Sequence, residues 1–362
     1  KINNFNKTLY IPADKSLSLR AIIFASQCIG ISKIKNVLES EDVLNCIRAL
    51  RMLGVKIKKT NNTYLVFGNG LNSFKTSKKL IKIYVGNSGT TTRLLSGLLS
   101  TQNSKYYLYG DKSMNKRDMS RVIDPLQKVG CFFYPQKKTT LPLTIEGTSM
   151  PLSQKHIEKK GSAQVKSLIL LSALSTPGIT TIEEKKISRN HTEILLKKIN
   201  ANIKVKNLKK ISGELVGSII VCSSKLKPIV VSKDIGKFID ELPILFVVAA
   251  LTKGVSKFKN IGDLKHKESN RLLESKKILD QVGIKCKISK NSMVIYGQDK
   301  IKTKNKSILI KTKGDHRICM SSLILSLSTG IKAKIKNFET VNSSFPGFIP
   351  LIKNLGGKVA VK

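Results

Sequence analysis

Charged and polar side chains stand where several apolar helices are predicted to begin, and this placement suits the binding of anions. Free N–H groups and the positive end of the dipole at a helix N-terminus attract phosphate and carboxylate groups. The residues at these predicted starts are Lys15, Ser16 and Arg20; Asn87, Ser88, Gly89, Thr90 and Arg93; Ser162 and Gln164; Asp240 and Glu241; and Asp315, His316 and Arg317. Their types and positions indicate a site for phosphate or carboxylate ligands.

Helix capping is the competing explanation for these residues. A serine or aspartate that caps the first turn accounts for one polar residue per helix. Capping does not account for Arg20, Arg93 and Arg317, because the helix dipole disfavours a cation in the first turn. A bound polyanion would offset that placement, so for any single residue both interpretations stay open.

The helices that carry these residues recur at a nearly constant interval. Five segments begin near Lys15, Ser88, Ser162, Asp240 and Asp315, so the intervals are 73, 74, 78 and 75 residues. Each first helix is apolar nearly all round, as expected of a buried helix, and an amphipathic second helix and β-rich pieces follow it. The pattern predicts a two-helix α/β unit repeated five times, with helices inside and sheets outside. Chance helix starts in a doubly wound fold are the alternative.

Length and composition bound the class of protein. The chain has 362 residues, enough for two domains, with 41% hydrophobic and 24% charged residues, as in a globular protein. No apolar run approaches the roughly 18 residues that indicate a membrane-spanning helix. The first residues show no apolar signal core. We therefore expect a cytoplasmic protein with no membrane partner.

The net charge of +42 raises nucleic-acid binding as an alternative function. The lysines are spread over the whole chain in short clusters, without a basic tail or a nucleic-acid-binding motif. We expect no nucleic-acid partner, although such a field would attract small anionic substrates. The six cysteines and four histidines show no metal-ligand spacing, and we expect the cysteines to be buried structural thiols.

Ten short motifs resemble those of the enolpyruvyl transferase family and occur in the family's order over nearly the whole chain. They are PADKSLSLR, GNSGTTTR, GDKSMNKRDM, LPLTIEG, SAQVKS, SRNHTE, DELPIL, KHKESNR, GDHRICM and SFPGF. All of them favour the branch that acts on shikimate 3-phosphate over the branch that acts on UDP-N-acetylglucosamine. The latter branch uses a cysteine on a mobile loop, and the matching stretch from Thr101 to Arg121 contains none.

The resemblance implies a two-domain inverted α/β barrel of repeated βαβαββ units, with buried parallel helices inside and sheets outside. One domain would comprise residues 14–205, with three repeats, and a discontinuous domain would comprise residues 1–13 and 213–362. The implied reaction transfers the enolpyruvyl group of phosphoenolpyruvate to the 5-hydroxyl of shikimate 3-phosphate and releases phosphate, in the shikimate pathway. It requires no metal or other cofactor. We expect a monomer whose partners are these two small molecules.

The same resemblance implies the residues of the site. Lys15, Asp240 and Glu268 would be catalytic, with Asp240 at the 5-hydroxyl, Glu268 at C3 of phosphoenolpyruvate and Lys15 as a shared proton donor. The phosphoenolpyruvate-binding residues would be Lys15, Gly89, Arg117, Gln164, Arg271 and Arg317. The residues that bind shikimate 3-phosphate would be Lys15, Ser16, Arg20, Ser162, Gln164, Arg189, Asp240 and Lys267. For His316 a structural hydrogen bond and a catalytic role stay open. Gly89 also predicts sensitivity to glyphosate, since resistant family members often have alanine there.

The family has six repeats, whereas this chain shows five, and we expect the missing one near residues 203–212. There the sequence passes from NIKVKN directly to KKISGELVGS. Either the chain is truncated internally, which predicts an inactive or partner-dependent protein, or the repeat is missing only from the numbering. Losing a repeat would expose apolar flanks of DELPILFVVAALT and ICMSSLILSLS, at a cost above the stability of a typical domain. We therefore expect a chain break between Asn202 and Gly213.

Overall fold

The computed structural model describes residues 9–75, 80–159, 162–184, 202–211, 214–222, 226–301, 303, 305 and 307–360. The chain divides into two units. The N-terminal unit comprises Ile2–Lys186, Lys313–His316 and Asn337–Lys362, and the C-terminal unit comprises Lys1, Ile187–Thr312 and Arg317–Lys336. The limits of these units differ from those of the two predicted domains, because residues 2–13 and 337–362 belong to the N-terminal unit. The segment after residue 337 lies there because its 3₁₀ turn, Phe338–Ser343, contacts the second helix of the first repeat.

The first repeat of the N-terminal unit has two helices and three described strands. They are α1 (Lys15–Ser26), β1 (Ile29–Lys35), α2 (Glu41–Met52), β2 (Lys56–Thr60) and β3 (Thr63–Asn69). The strands form an antiparallel sheet in the order β1-β3-β2. The two-residue connection Asn61–Asn62 joins β2 to β3, and Asn61 has a φ of 50°, a left-handed conformation that asparagine tolerates.

The second repeat shows the complete plan of the unit. Its elements are β4 (Ile81–Tyr84), α3 (Gly89–Leu99), β5 (Lys105–Tyr109), α4 (Ser120–Val129), β6 (Phe132–Tyr134) and β7 (Leu143–Glu146). The sheet order is β4-β5-β7-β6, in which β4 and β5 are parallel and the other pairs are antiparallel. Parallel neighbours need a crossover connection, and α3 supplies it. The order of elements is therefore βαβαββ.

A third repeat begins with β8 (Lys155–Glu158), α5 (Ala163–Ala173) and β9 (Thr181–Glu184), in which β8 and β9 are parallel. The next two described strands, β10 (Asn202–Ile211) and β11 (Glu214–Cys222), pair with each other as antiparallel neighbours. Ile211 and Glu214 are partners in this register, so the segments on either side of residue 212 lie together. The predicted chain break between Asn202 and Gly213 is therefore wrong. Both segments are rich in β-branched isoleucine and valine, which favour strands.

The C-terminal unit repeats the plan of the second repeat. Its next elements are β12 (Val230–Val231), α6 (Leu242–Ala250), β13 (Gly254–Lys259), α7 (Arg271–Gln281), β14 (Cys286–Ile288) and β15 (Ser292–Gly297). The sheet order β12-β13-β15-β14 matches that of β4 to β7. The last repeat contributes the parallel strands β16 (Ser307–Lys311) and β17 (Lys332–Lys336) around α8 (His316–Thr329), and α9 (Phe348–Asn354) follows in the N-terminal unit.

The first helices of the repeats are buried because apolar residues surround them. In α3 the side chains of Leu94, Leu95 and Leu99 are fully buried. Gly97 allows a close approach of α5, since a Cβ atom there would lie 2.3 Å from the carbonyl oxygen of Leu168. In α6, Phe246 packs edge-on against Phe258 with ring centroids 4.9 Å apart.

Two further expectations fail on burial. No apolar side chain of α6 or α8 is exposed, although a missing repeat was expected to expose both helices. Cys28 is exposed at the end of α1, whereas Cys46, Cys131, Cys286 and Cys319 are buried as expected. Burial raises the pKa of the Cys46 thiol to about 12. In the part of the chain that the structure describes, no helix is long and apolar enough to span a membrane.

Candidate functional site

Capping side chains fix where the first helices of the N-terminal unit begin. Asp14 Oδ1 accepts a hydrogen bond from the Leu17 N–H at 2.8 Å, and Ser88 Oγ accepts one from Thr91 N–H at 3.1 Å. Ser162 Oγ accepts from the Val165 N–H at 3.3 Å. Capping therefore explains Ser88 and Ser162, as the competing interpretation proposed. It leaves the cations beside these starts unexplained.

At the start of α1 two cations have polar partners. The Lys15 ammonium donates to Asp42 Oδ2 at 3.0 Å, and Asp42 lies in the first turn of α2. Arg20 donates through Nη1 to the Ser16 hydroxyl and, at 3.1 Å, to the Ser16 carbonyl oxygen. Arg20 Nη2 also reaches Ser167 of α5, at 3.5 Å. Sequence reasoning missed Asp42, although the acidic first turn of α2 was a visible signal.

Arg93 and Gln164 join the starts of α3 and α5. Arg93 donates through Nη1 to the Gln164 side-chain oxygen, and Gln164 Nε2 donates to Thr90 Oγ1 at 2.8 Å. Two residues 71 positions apart in sequence are thus brought together. Arg93 is the fifth residue of α3, so it lies just after the first turn, and this contact gives its guanidinium an acceptor.

Arg117 lies against the start of α3. Its Nη2 donates to Asn87 Oδ1 at 2.5 Å. A Cβ atom at Gly89 would lie 2.8 Å from Arg117 Nη1 and 2.9 Å from Arg93 Nη1. Gly89 therefore leaves room for two guanidinium tips, which a Cβ atom there would displace. We call Lys15, Arg20, Arg93, Arg117 and Gln164 the N-terminal cluster.

Carboxylates and cations alternate in the C-terminal unit. Lys267 Nζ and Arg271 Nη1 both lie 2.9 Å from Asp240 Oδ1, and Arg271 Nη2 donates to Glu268 Oε2. Arg271 is 1% exposed, so its guanidinium is held between the two carboxylates. Arg317 Nη1 donates to the Asp240 carbonyl oxygen at 2.7 Å and lies 3.5 Å from Glu241 Oε1. We call Asp240, Lys267, Glu268, Arg271 and Arg317 the C-terminal cluster.

The surrounding cations decide the protonation of Asp240. Burial alone would raise the pKa of its carboxyl, but Lys267, Arg317 and Arg271 together hold that pKa well below its usual value of 3.8. Asp240 is therefore ionised at neutral pH. An ionised carboxylate with such partners is a strong hydrogen-bond acceptor and a weak base.

Most of the predicted site residues thus fall into these two clusters. In the N-terminal unit Ser16 and Gly89 touch the N-terminal cluster, and Ser162 caps the adjoining helix α5. His316 is buried, at 7% exposure. Arg189 lies outside the described residues. Asn87, Thr90 and Arg93, which the helix starts indicated but the family resemblance assigned to neither substrate, also take part in the contacts.

Most of the chain matches one protein family. The family model described as EPSP synthase (3-phosphoshikimate 1-carboxyvinyltransferase) matches residues 1–217 and 209–352. A 3-phosphoshikimate 1-carboxyvinyltransferase from Oenococcus oeni is 34% identical over 421 aligned residues, which cover 96% of this chain and 95% of that protein. The protein of the same name from Oceanobacillus iheyensis is 32% identical over 413 aligned residues, covering 94% and 95%.

Solved structures agree with this match. An EPSP synthase from Acinetobacter baumannii is 27% identical, has a TM-score of 0.78, and covers 100% of this chain and 98% of that chain. The enolpyruvyl transferase NikO from Streptomyces tendae is 10% identical, with a TM-score of 0.68 and coverage of 98% and 96%. The likeness to NikO supports the fold alone. The fold is therefore the α/β fold of enolpyruvyl transferases.

The alignments also measure the missing repeat. The match to the Oceanobacillus iheyensis protein spans 413 positions, while 94% of 362 residues is about 340. About 73 aligned positions therefore have no counterpart in this chain. That number is close to the repeat intervals of 73 to 78 residues. The shortfall therefore has the length of one repeat.

Proposed function

The chain belongs to the EPSP synthase (3-phosphoshikimate 1-carboxyvinyltransferase) family, and we propose that its two polar clusters carry that family's reaction. The enzyme transfers the enolpyruvyl group of phosphoenolpyruvate to the 5-hydroxyl of shikimate 3-phosphate, in the shikimate pathway. In the addition step the hydroxyl oxygen bonds to C2 of phosphoenolpyruvate, its proton, made acidic by the new bond, passes to the Asp240 carboxylate, and C3 gains a proton from Glu268. In the elimination step Glu268 takes a proton back from C3, the bond from C2 to the phosphate oxygen breaks, and the departing phosphate carries away the proton that the hydroxyl lost. Phosphate is released.

The observation that carries the assignment of residues is the charge of the N-terminal cluster. Four cations, Lys15, Arg20, Arg93 and Arg117, stand at or beside the starts of α1 and α3, with Asp42 as the carboxylate that partners Lys15. A net positive site at helix N-termini suits substrates that carry phosphate and carboxylate groups. In this proposal Lys15, Gly89, Arg117 and Gln164 contact phosphoenolpyruvate. Lys15, Ser16, Arg20, Ser162, Gln164 and Arg189 contact shikimate 3-phosphate.

The C-terminal cluster supplies the acid–base groups of the proposal. Asp240 accepts a hydrogen bond from the 5-hydroxyl and orients its oxygen, a role that fits an ionised carboxylate of low pKa. Glu268 delivers the proton to C3, with Lys15 as the second proton donor. Arg271 fixes the spacing of the two carboxylates, and its proposed contact with phosphoenolpyruvate requires it to exchange one of these partners. Lys267 and Arg317 complete the binding of shikimate 3-phosphate and phosphoenolpyruvate respectively.

The wider organisation is part of the same proposal. We propose an inverted barrel in which the buried helices of the repeats are parallel, with three repeats in the domain of residues 14–205. The other domain comprises residues 1–13 and 213–362 and lacks one repeat. The family resemblance supports a monomer in the cytoplasm with the two small-molecule substrates as partners, and glyphosate as a competitor of phosphoenolpyruvate.

Phosphate release tests the proposed function. Phosphate should appear only when phosphoenolpyruvate and shikimate 3-phosphate are both present, with equimolar formation of the enolpyruvyl product by mass spectrometry. Glu268→Gln should lower kcat about 100-fold or more, because a general acid contributes about 10²–10⁴-fold. Glu158→Gln is the matched control, since Glu158 is a buried carboxylate paired with Arg121 at 2.9 Å outside both clusters. Release from phosphoenolpyruvate alone would contradict the assigned reaction.

A further inference from the structure

Asp42 is buried and is directed at one of the proposed catalytic residues. Its side chain is 5% exposed, and its Oδ2 atom lies 3.0 Å from Lys15 Nζ, in a side chain that is 24% exposed. The other carboxylate oxygen, Oδ1, is buried and has no hydrogen-bond partner among the described residues. Within that part of the chain, Lys15 is thus the only cation paired with this carboxylate.

The helix dipoles act in opposite ways on the two members of this ion pair. Lys15 is the first residue of α1, where the positive end of the dipole disfavours its ammonium group. Asp42 lies in the first turn of α2, where the same effect stabilises a carboxylate. The anion therefore sits where a helix favours it, and it holds a cation where a helix does not.

We propose that Asp42 is a positioning residue that holds the Lys15 ammonium group in its working orientation at the start of α1. The proposal rests on the role of Lys15 in the proposed function. A lysine stem has many rotamers, and fixing one of them before the substrates bind removes an entropy cost from the reaction. Asp42 itself touches neither substrate in this account. It acts through Lys15.

Two single variants and their combination test the proposal. Asp42→Asn keeps the shape of the side chain and removes its charge. It should lower kcat about 10–100-fold, the size expected for a misplaced catalytic group, with both KM values changed less than about threefold. Lys15→Met removes the ammonium group but keeps a long stem. In that background Asp42→Asn should lower kcat no further, because positioning has no effect once the positioned group is gone.

Glu158→Gln is the matched control for the loss of a buried ion pair. Glu158 is 4% exposed and pairs with Arg121 at 2.9 Å in the same unit. Its kcat should stay within about twofold of the wild-type value, while its melting temperature falls about as far as that of Asp42→Asn. Equal losses of kcat in Asp42→Asn and Glu158→Gln would reduce Asp42 to a structural role. If the kcat losses of Asp42→Asn and Lys15→Met multiply in the double variant, the proposal is overturned as well.

A measurement without turnover separates this proposal from the proposed function. Lys15 should be acetylated several-fold faster by acetic anhydride in Asp42→Asn than in the wild type, as read from the Lys15 peptide by mass spectrometry. Lys105, which pairs with Glu146 at 3.3 Å, is the internal reference. Unchanged labelling of Lys15 overturns the positioning proposal even in an active enzyme. Faster labelling in an enzyme that releases no phosphate supports the positioning of Lys15 and refutes the proposed function instead.

Discussion

Replacing Gly89 by alanine tests the geometry of the N-terminal cluster most directly. The new methyl carbon would lie 2.8 Å from Arg117 Nη1 and 2.9 Å from Arg93 Nη1, whereas ordinary van der Waals contact begins near 3.4 Å. Both guanidinium tips must therefore retreat by about 0.5 Å. Arg117 is held by Asn87 and Arg93 by Gln164, so the retreat weakens hydrogen bonds that position the cations.

The size of the effect follows from the strength of such bonds. A hydrogen bond to a charged group contributes about 1.5–3 kcal/mol. Losing half of that free energy should raise the KM for phosphoenolpyruvate roughly fivefold. Glyphosate is longer than phosphoenolpyruvate, so the methyl group also crowds it. Overpacking of this kind costs about 1–3 kcal/mol, which should raise the inhibition constant roughly 10-fold or more beyond the change in KM.

Steady-state kinetics with both ligands and a melting curve form the assay. The melting temperature should not fall, because alanine is the better helix former and Gly89 is the first residue of α3. Gly347→Ala is the control, since its nearest neighbour beyond the adjoining residues would be 3.9 Å from the new methyl carbon. If Gly89→Ala leaves both KM and the inhibition constant unchanged, Gly89 and Arg117 do not contact phosphoenolpyruvate, and their assignment to that substrate is refuted.

Two further predictions concern stability. The pKa of the Asp240 carboxyl is lowered in the folded state, so its contribution to folding stability is present above the usual value of 3.8 and is lost as the pH falls through the lower folded value. The difference in melting temperature between the wild type and Asp240→Asn should therefore shrink below about pH 3.8. A difference that stays constant with pH would contradict the ion pairing. Gly97→Ala should lower the free energy of unfolding of the N-terminal unit, measured in urea, by about 1–3 kcal/mol or more. The reason is that the new methyl carbon would lie 2.3 Å from the carbonyl oxygen of Leu168, and a backbone atom cannot move aside cheaply. Unchanged stability would show that α3 and α5 are less closely packed.

The sequence predicted the repeats because two local signals coincide in each. A capping residue precedes an apolar stretch, and the structure begins helices at Lys15, Gly89 and Ala163, each directly after a cap. The βαβαββ order follows from such local patterns and from the rule that parallel strands need a crossover. The grouping of the Arg93, Gln164 and Arg117 side chains was accessible only through the family resemblance, since their partners are far apart in sequence.

Other features depend on tertiary contacts that no local pattern encodes. Asp42 is 27 residues from Lys15, and an acidic first turn by itself indicates only a favourable helix dipole. The resemblance of the KHKESNR motif indicated that Arg271 binds substrate. It did not indicate that the buried guanidinium of Arg271 bridges Asp240 and Glu268. Apolar neighbours along the chain suggested a buried Cys28, yet the residue faces outward at the end of α1.

The missing repeat can be placed by the order of strands, and the position differs from the one that the sequence suggested. The last strand of a repeat is followed by the first strand of the next, as β3 is by β4, β7 by β8 and β15 by β16. The antiparallel pair β10–β11 has the place of β2–β3, β6–β7 and β14–β15, and β12 then opens a new repeat. This order of strands places the join left by an absent repeat after β11.

The family match favours a different position. Residues 209–217 match both parts of the family model, and they lie before the end of β11, close to the position that the sequence suggested. Repeats that contact their neighbours tolerate the gain or loss of a whole unit better than that of a fraction. The two positions therefore predict different places where a repeat can be put back.

Two chimeras decide between the positions. The absent repeat of the Oenococcus oeni relative, inserted between Cys222 and Leu226, should give a chain that unfolds cooperatively and melts no lower than the parent. The same repeat inserted between Ile211 and Glu214 separates the partner strands β10 and β11 and should lower the melting temperature or abolish cooperative unfolding. A comparison of phosphate release by both chimeras and by the parent shows whether the inserted repeat is needed for turnover. If the insertion between Ile211 and Glu214 is the better tolerated, the deletion lies within residues 203–212 and the strand-order argument is wrong.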